Sequence, residues 1–390
     1  MDEDDKNNDK VRKNGAALMK IEFYKHNLGQ EEKDKVIECL NGIFLTTGSY
    51  VSEFEDIFAQ YLDLQYAVGL TSCTAALHLS LLAAGIGEGD EVITTPMTFI
   101  ATATAILHTG AKPVFVDVER DTALIDPGKI ESAITDKTKA IIPVHLYGQM
   151  CDMKKIRAIA DKYDLTIIED CAHCVEGERD GIRPGQYGDI ACFSFYATKN
   201  ITSGEGGAVA TNNKELADKV RMLRQHGMSK EAADRYSGTY KHWDMIECGW
   251  KYNMDNIQAA LLIPQMKKIH LNWKKREELY KNYIERLKPV PNIEYPRILE
   301  NSKSAYHLFT IWVDRNMRDG ILQSLGDNGI GVAVNYRAIH LLTYFRTRFG
   351  FKRGDFPVSE EIGDRTISLP FWIGLSDSDI KHIIAAIPPM

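Results

Sequence analysis

The sequence reads IIEDCAHC at residues 167–174 and FSFYATKNITSGEGG at residues 193–207. Each segment opens with β-branched, apolar or aromatic residues, which are typical of a buried strand, and continues into polar residues or glycines, which are typical of a turn. Ligands of open α/β sheets bind at the carboxyl ends of the strands, so the polar residues after these two strands indicate a functional site. The candidates are Asp170, His173, Ser194 and Lys199.

The surrounding sequence alternates between helix and strand patterns. An apolar helix is predicted over Ala75–Ala84, ended by Gly85, and amphipathic helices over Met153–Tyr163 and Lys214–Gln225. The predicted strands are, in chain order, Glu91–Thr95, Val114–Val118, Ala140–Leu146, Thr166–Glu169, Ile190–Phe195 and Gly207–Thr211. Short buried strands between helices predict an α/β fold with a mainly parallel sheet covered on both faces.

Three parts of the chain are predicted. Residues 1–18 lack apolar periodicity and are rich in charge, which predicts a disordered leader. Residues 19–270 hold the alternating pattern and form the predicted large domain. A long charged helix pattern, Ile257–Leu287, crosses its end, and residues 271–390 predict a small α+β domain that closes with a helix near Asp377–Ala386.

Composition argues against several classes of protein. A net charge of -7 over 390 residues gives no broad cationic field, so we expect neither nucleic acid nor a membrane as partner. The sequence has no apolar run long enough to span a membrane, and its polar start differs from a secretory signal. An odd number of cysteines, seven, argues against a disulfide framework. We therefore expect a soluble cytoplasmic protein.

Lys199 and Asp170 carry the chemistry that the residues alone indicate. A lysine that follows a strand and a turn can point its amine into a cleft and react with a cofactor aldehyde; the alternative is a surface lysine. Asp170 ends an apolar run, where a carboxylate needs a cationic or hydrogen-bonding partner, such as a protonated ring nitrogen. Its alternative is a helix N-cap.

Two further segments contain candidate ligand-binding residues. The turn at residues 71–75, TSCTA, leads into the apolar helix and can offer backbone amides to a phosphate, with Thr71 or Ser72 as a possible N-cap. Cys171, His173 and Cys174 suggest zinc, but a structural zinc site takes four ligands and no second pair follows, so we expect no metal.

These motifs together closely resemble the DegT/DnrJ/EryC1/StrS sugar aminotransferases. Besides the two segments above, the resemblance rests on TSCTAALHLSLLAAGIGEGDEVITTPMTFIATATAI, PVFVDV, AIIPVHLYGQ and GWKYNMDNIQAAL, and it extends from about Asn27 to the C-terminus. It implies a pyridoxal 5′-phosphate (PLP) cofactor, the aspartate aminotransferase-like fold (fold type I) and a homodimer with shared active sites. Among members, the chain is most similar to those that make 4-amino sugars, such as the UDP-4-amino-4-deoxy-L-arabinose synthases.

The resemblance also implies roles for residues around the cofactor. Lys199 would bind the cofactor aldehyde, Asp170 the ring nitrogen and His173 the phenolic oxygen, and these three would be the catalytic residues. The residues implied at the cofactor phosphate are Thr74, Ala75 and Ser194.

Other positions are implied at the ring face, the partner subunit and the substrate. Phe99 would stack on the pyridine ring; core packing is its alternative. Lys251 or Asn253 would reach the phosphate of the neighbouring subunit, and which of them does so stays open. The residues implied at the sugar are His307, Tyr336 and His340.

The predicted reaction moves the amino group of L-glutamate, which becomes 2-oxoglutarate, onto a nucleotide-linked 4-keto sugar for surface polysaccharide, lipid A or glycan biosynthesis. Glu205 in GEGG resembles the form found in relatives that act at C4, and a C3-specific enzyme is the alternative. A non-catalytic regulator with the same fold is a second alternative. A nicotinamide oxidoreductase is disfavoured, because the glycine run GIGEGD follows a helix and precedes a strand.

Overall fold

The computed structural model describes residues 10–13, 16–229 and 242–389, with side chains from residue 20 onward. Its centre is a seven-stranded sheet. From one edge to the other the strands are Tyr66–Leu70, Gly207–Thr211, Ile190–Ser194, Thr166–Asp170, Thr138–Ile141, Glu91–Thr94 and Lys112–Phe115. Gly207–Thr211 runs antiparallel to both of its neighbours, and the other strand pairs are parallel. The predicted α/β architecture with a mainly parallel sheet is confirmed.

Helices cover both faces of this sheet, because alternate strand residues face opposite sides. Cys192 packs with Leu77 and Leu79 of the helix Cys73–Ala83 on one face, whereas Phe193 packs with Phe58 on the other. The α-helices of the described residues are Gln30–Leu40, Ser49–Leu62, Cys73–Ala83, Ile100–His108, Pro127–Ile130, Met153–Tyr163, Lys214–Leu223, Asn256–Leu287, Arg318–Asp327, Thr343–Phe349, Pro357–Arg365 and Asp377–Ala385.

A smaller antiparallel sheet follows, formed by Phe309–Trp312 and Thr366–Leu369. It packs on the C-terminal half of the helix Asn256–Leu287, where the rings of Tyr283 and Phe309 stack with centroids 4.4 Å apart. The predicted boundary at residue 270 lies inside this one continuous helix, so the division into two domains stays a prediction. A further strand pair joins Glu178–Arg179 to Ser302–Lys303.

Four strand predictions run past the end of the observed strand, two of them, Glu91–Thr95 and Ile190–Phe195, by a single residue. The strand predicted over Ala140–Leu146 ends at Ile141, since Pro143 has no N–H to donate and the chain then turns at Leu146–Gly148. The strand predicted over Val114–Val118 is instead Lys112–Phe115.

The predicted disordered leader lies partly outside the described residues, which omit 1–9, 14 and 15. Lys10–Lys13 and Ala16–Met19 form a two-stranded antiparallel pair. Disorder of the leader stays a prediction. Within the part of the chain that the structure describes, no helix combines the length and the apolar character needed to cross a membrane.

Candidate active site

A cavity of about 530 Å³ opens at the carboxyl ends of the strands that finish at Asp170 and Ser194. Two neighbouring parallel strands deliver these residues to one edge of the sheet, as their patterns predict. Eight of the predicted site residues line this cavity: Thr74, Phe99, Asp170, His173, Ser194, Lys199, His307 and Tyr336.

Lys199 reaches the cavity from the turn that follows Ile190–Ser194. Its backbone N–H donates to Tyr196 O (2.9 Å), and its Nζ lies 3.4 Å from His307 Nε2. Burial lowers the pKa of Lys199 to about 8. The alternative of an ordinary surface lysine is wrong, since the amine faces the cavity and loses its proton more readily than a solvated lysine does.

Gly207 lets this turn approach the helix Cys73–Ala83 closely. A Cβ at Gly207 would lie 2.3 Å from the carbonyl carbon of Ser72, a contact no side chain tolerates. The last glycine of GEGG therefore allows the turn that carries Lys199 to lie against the start of that helix.

The pKa of Lys199 gives a pH prediction. In protein stripped of any bound aldehyde, we expect a brief pulse of an amine-acylating reagent to label Lys199 with a midpoint near pH 8, because only the neutral amine reacts. Peptide mass spectrometry measures the labelling, with the exposed Lys137 as an internal reference in the same digest. A midpoint for Lys199 equal to that of Lys137 would contradict the burial argument.

Asp170 is 5% exposed and its carboxylate has no cation bonded to it among the described residues. Its oxygens accept hydrogen bonds from Thr102 Oγ1 (2.8 Å) and from the backbone N–H of Ala172 (3.1 Å). Burial raises the pKa of Asp170. Turns, rather than a helix, follow at residues 171–177, so the N-cap alternative is wrong. A cation in the cavity would offset the burial of this carboxylate.

His173 is held as a neutral ring. Its Nδ1 accepts from the backbone N–H of Tyr147 (3.3 Å), so in the neutral ring Nε2 carries the proton and faces the Tyr336 hydroxyl at 3.1 Å. Burial and the nearby Lys199 ammonium lower the pKa of His173 well below its usual range. His173 and Tyr336 thus form one hydrogen-bonded wall of the cavity.

The N-terminus of the helix Cys73–Ala83 also lines the cavity. Ser72 is the N-cap, since its Oγ accepts from the N–H of Ala75 (3.1 Å), and Thr74 lines the cavity beside it. The side chain of Ala75 is buried away from the cavity lining. Ser194, 7% exposed, completes a polar edge suited to an anion.

Phe99 stands at the mouth of the cavity. Its side chain is 53% exposed, and its ring centroid lies 5.7 Å from that of Tyr336. The core-packing alternative is wrong, because a core ring would be buried. An exposed aromatic face beside the cavity is available for a planar ligand.

Besides Ala75, three predicted site residues lie outside this cavity. The Lys251 ammonium donates to Asn253 Oδ1, and Asn253 donates to Thr47 Oγ1 (2.7 Å). His340 is fully buried and its Nε2 lies 3.0 Å from Glu360 Oε1. The predicted contact of His340 with a sugar finds no support here, because His340 is buried against Glu360 and does not line the cavity.

Sequence reasoning missed three residues of the site. Thr102 orients Asp170, and its hydroxyl lies 2.8 Å from that of Thr98, four residues earlier; that i, i+4 spacing was the available signal. Phe23 lines the cavity from near the N-terminus, where no pattern indicates it. Asn200 contacts His307, and adjacency to Lys199 was its only signal.

Comparison with known proteins decides the family. The sequence profile of the DegT/DnrJ/EryC1/StrS aminotransferase family matches residues 26–388. The chain belongs to this family. It is 42% identical over 366 residues to the spore coat polysaccharide biosynthesis protein SpsC of Bacillus subtilis, covering 92% of this chain and 94% of SpsC.

Solved structures of aminotransferases share the fold. Spr1654 of Streptococcus pneumoniae, in its PMP form, superposes with a TM-score of 0.89 at 30% identity, covering 94% of this chain and 98% of that one, and a PLP form of it is also known. PseC of Helicobacter pylori, an aminotransferase involved in the biosynthesis of pseudoaminic acid, has a TM-score of 0.88 at 30% identity, covering 94% of this chain and 98% of PseC. The resemblance, the fold type I architecture, PLP dependence and the sugar aminotransferase class are thereby confirmed.

Proposed function

We propose that this family member transfers the amino group of L-glutamate to a nucleotide-linked 4-keto sugar and so makes a 4-amino sugar for surface polysaccharide, lipid A or glycan biosynthesis. One observation carries the proposal: the amine of Lys199 and the buried carboxylate of Asp170 share one cavity. When bound there, PLP supplies an electron sink for the charge that develops as the donor carbon loses its proton.

The residues of the cavity fit that cofactor. Asp170 would hold the protonated ring nitrogen, which supplies the cation its buried carboxylate lacks. Phe99 would cover one ring face, and His173 would bind the phenolic oxygen. The polar turn at Thr74 and Ala75 and the hydroxyl of Ser194 would hold the phosphate.

Lys199 would carry the proton between donor and product. Its Nζ, with a pKa near 8, is neutral often enough to accept a proton from a carbon and acidic enough to return it. A lysine of ordinary pKa would hold that proton too firmly at neutral pH. Lys199 as a proton carrier and Asp170 as the partner of the ring nitrogen, in one cavity, support a transaminase over a non-catalytic regulator with the same fold.

A sugar acceptor is supported by the relatives, since SpsC acts in polysaccharide biosynthesis and PseC in pseudoaminic acid biosynthesis. Glu205, the residue of the C4-type pattern, lines the cavity, where it can border the sugar. The cytoplasmic location stays a prediction.

The regiochemistry is tested with a panel of acceptors. The enzyme and L-glutamate are incubated separately with UDP- and dTDP-linked 4-keto-6-deoxy sugars, a UDP-4-keto-pentose and a 3-keto isomer, and NMR locates the new amine. We expect amination at C4. Amination only at C3 would establish the C3-specific alternative, and activity on free keto acids alone would contradict the sugar class.

A homodimer with shared active sites is the second part of the proposal. The described loop residues 249–255 do not line the cavity of their own chain, although the family resemblance gives Lys251 or Asn253 a phosphate contact. Ile37 and Leu40, one helical turn apart, are 54% and 53% exposed, and Ile43 is wholly exposed. Such adjacent apolar side chains favour an interface with a second copy.

Mixing of inactive variants tests the shared site. If Lys251 acts across the interface, co-refolding Lys199→Ala with Lys251→Ala gives mixed dimers with one intact site, and we expect recovery of about a quarter of the wild-type activity. The matched control mixes Lys199→Ala with Asp170→Asn; both residues belong to one chain's cavity, so no intact site forms. Equal activity in both mixtures would argue for sites built within one chain.

A further inference from the structure

A chain of buried polar side chains begins at Lys199 and leads away from the cavity. His307 Nε2 lies 3.4 Å from Lys199 Nζ, and His307 Nδ1 lies 3.2 Å from Asn200 Oδ1. Asn200 Nδ2 donates to Glu176 Oε2 (2.9 Å), and the other oxygen of Glu176 pairs with Arg276. His307, Glu176 and Arg276 are 5%, 3% and 4% exposed.

The hydrogen bonds of Asn200 determine which way its amide faces. Its Nδ2 group has two acceptors, Glu176 Oε2 and the carbonyl oxygen of Ala305 at 2.8 Å. Neither acceptor can donate a proton, so the amide nitrogen faces them and Oδ1 faces His307. The orientation of the amide follows from its surroundings.

That orientation in turn determines the tautomer of His307. Since Asn200 Oδ1 only accepts, Nδ1 of the imidazole has to donate the hydrogen bond. Burial and the nearby Lys199 lower the pKa of His307 well below its usual range, so the ring is neutral and Nε2 bears a lone pair. This lone pair faces the amine of Lys199.

Glu176 and Arg276 hold the far end of the chain. Glu176 lies in the loop after the strand Thr166–Asp170, whereas Arg276 lies on the helix Asn256–Leu287. Arg276 also donates to the carbonyl oxygen of Ala305 (3.3 Å), the same oxygen that accepts from Asn200. Glu176 and Arg276 thus neutralise each other. Together with the carbonyl oxygen of Ala305 they hold the Asn200 amide from three separate segments of the chain.

We propose that Arg276, Glu176 and Asn200 are positioning residues that hold His307 with the lone pair of Nε2 towards Lys199. The inference rests on the role proposed above for Lys199. His307 accepts a hydrogen bond from the protonated lysine and so helps to keep the proton at Nζ between its removal from the donor and its return. The opposite tautomer would point an N–H at the ammonium, and two donors would face each other.

This arrangement also revises the prediction for His307. The sequence resemblance places it at the sugar, whereas both of its ring nitrogens are engaged by Asn200 and Lys199. We therefore expect it to influence the lysine rather than to select the acceptor.

The tautomer is measured directly on the holoenzyme without substrate. Two-bond ¹H–¹⁵N correlation spectra of the imidazole side chains distinguish a protonated Nδ1 from a protonated Nε2, and loss of one signal set in His307→Gln assigns His307. We expect a protonated Nδ1 and an unprotonated Nε2. A protonated Nε2 in the wild-type enzyme would overturn the proposal, and this readout needs no Asn200 variant to fold.

Asn200→Ala tests the positioning itself. We expect His307 to lose its single tautomer in this variant. The cofactor absorbance reports proton loss from the Lys199 nitrogen, and we expect the pH midpoint of that change to fall by about one unit. The reason is that the protonated Lys199 nitrogen loses His307 Nε2 as its hydrogen-bond acceptor. The variant leaves unchanged the other titratable groups that face Lys199 and His307, which are Cys73, Asp170, His173 and Arg276.

Gln265→Ala is the matched control. Gln265 is likewise a buried carboxamide bonded to the turn after Lys199, through Thr202 N at 3.0 Å and Thr202 O at 2.7 Å. In the part of the chain that the structure describes, it forms no hydrogen bond with His307. We expect its tautomer signals and midpoint to match the wild type. Equal shifts in both variants, or none in Asn200→Ala, would overturn the proposal. Neither readout requires sugar amination, so failure of the proposed function is told apart from failure of this inference.

Discussion

Lys199→Ala is expected to lower turnover by about 10⁴-fold or more, because the variant loses both the amine that binds the aldehyde and the group that carries the proton. The cavity keeps Asp170, Phe99 and the polar turn at Thr74, so we expect the cofactor to bind without a covalent bond. Single-turnover kinetics with L-glutamate measure the loss. Mass spectrometry after borohydride reduction shows whether the cofactor is attached to the chain.

Lys303→Ala is the control for this prediction. Lys303 is another partly buried lysine with a pKa lowered by burial, but it lies against the Trp273 ring outside the cavity. Its removal should leave turnover within about twofold of the wild type, since Lys303 does not line the cavity and its contact with the Trp273 ring contributes only modestly to stability. Retained turnover in Lys199→Ala, or covalent attachment at another lysine, would remove Lys199 from the mechanism.

Asp170→Asn is expected to lower the rate by about 10² to 10³-fold while changing cofactor affinity much less. The amide keeps the shape of the carboxylate and can still accept from Thr102, yet it cannot keep a ring nitrogen protonated as negative charge develops on the cofactor. Rapid mixing with L-glutamate gives the rate, and equilibrium titration with the cofactor gives the affinity.

Asp117→Asn provides a buried carboxylate of purely structural role for comparison. Asp117 is 6% exposed and accepts from the Ser359 hydroxyl (2.6 Å) and the backbone N–H of Val358 (3.0 Å). Its variant should lose about 1–3 kcal/mol of unfolding free energy with little change in rate per folded molecule. If Asp170→Asn shows that same pattern, its carboxylate is structural and the electrostatic role is wrong.

Local patterns were enough to predict the elements that place the chemistry. The strands ending at Asp170 and Ser194 follow from apolar runs that stop at polar residues, and their parallel pairing brings both ends to one edge. Element ends were less predictable. The strand Thr138–Ile141 is short because of Pro143, a signal that a count of apolar residues overlooks.

Contacts between distant segments were beyond sequence reasoning. His307 and Lys199 lie 108 residues apart, and Arg276 and Glu176 lie 100 residues apart, so no spacing rule links them. The family resemblance places both Tyr336 and His340 at the sugar, but only Tyr336 lines the cavity, whereas His340 is buried against Glu360. Family resemblance gave the identities of residues at the cavity; the hydrogen bonds gave their orientation.

The central claim is that Lys199 binds the cofactor and carries the proton in amino transfer from L-glutamate to a nucleotide-linked 4-keto sugar. The most direct test follows the absorbance of the bound cofactor while L-glutamate and then the keto sugar are added in turn. We predict that glutamate changes the cofactor absorbance of the wild-type enzyme and that the 4-keto sugar restores the original absorbance. In Lys199→Ala, neither change should occur at a comparable rate. An absorbance that glutamate leaves unchanged, or that only a free 2-oxo acid restores, would contradict the account.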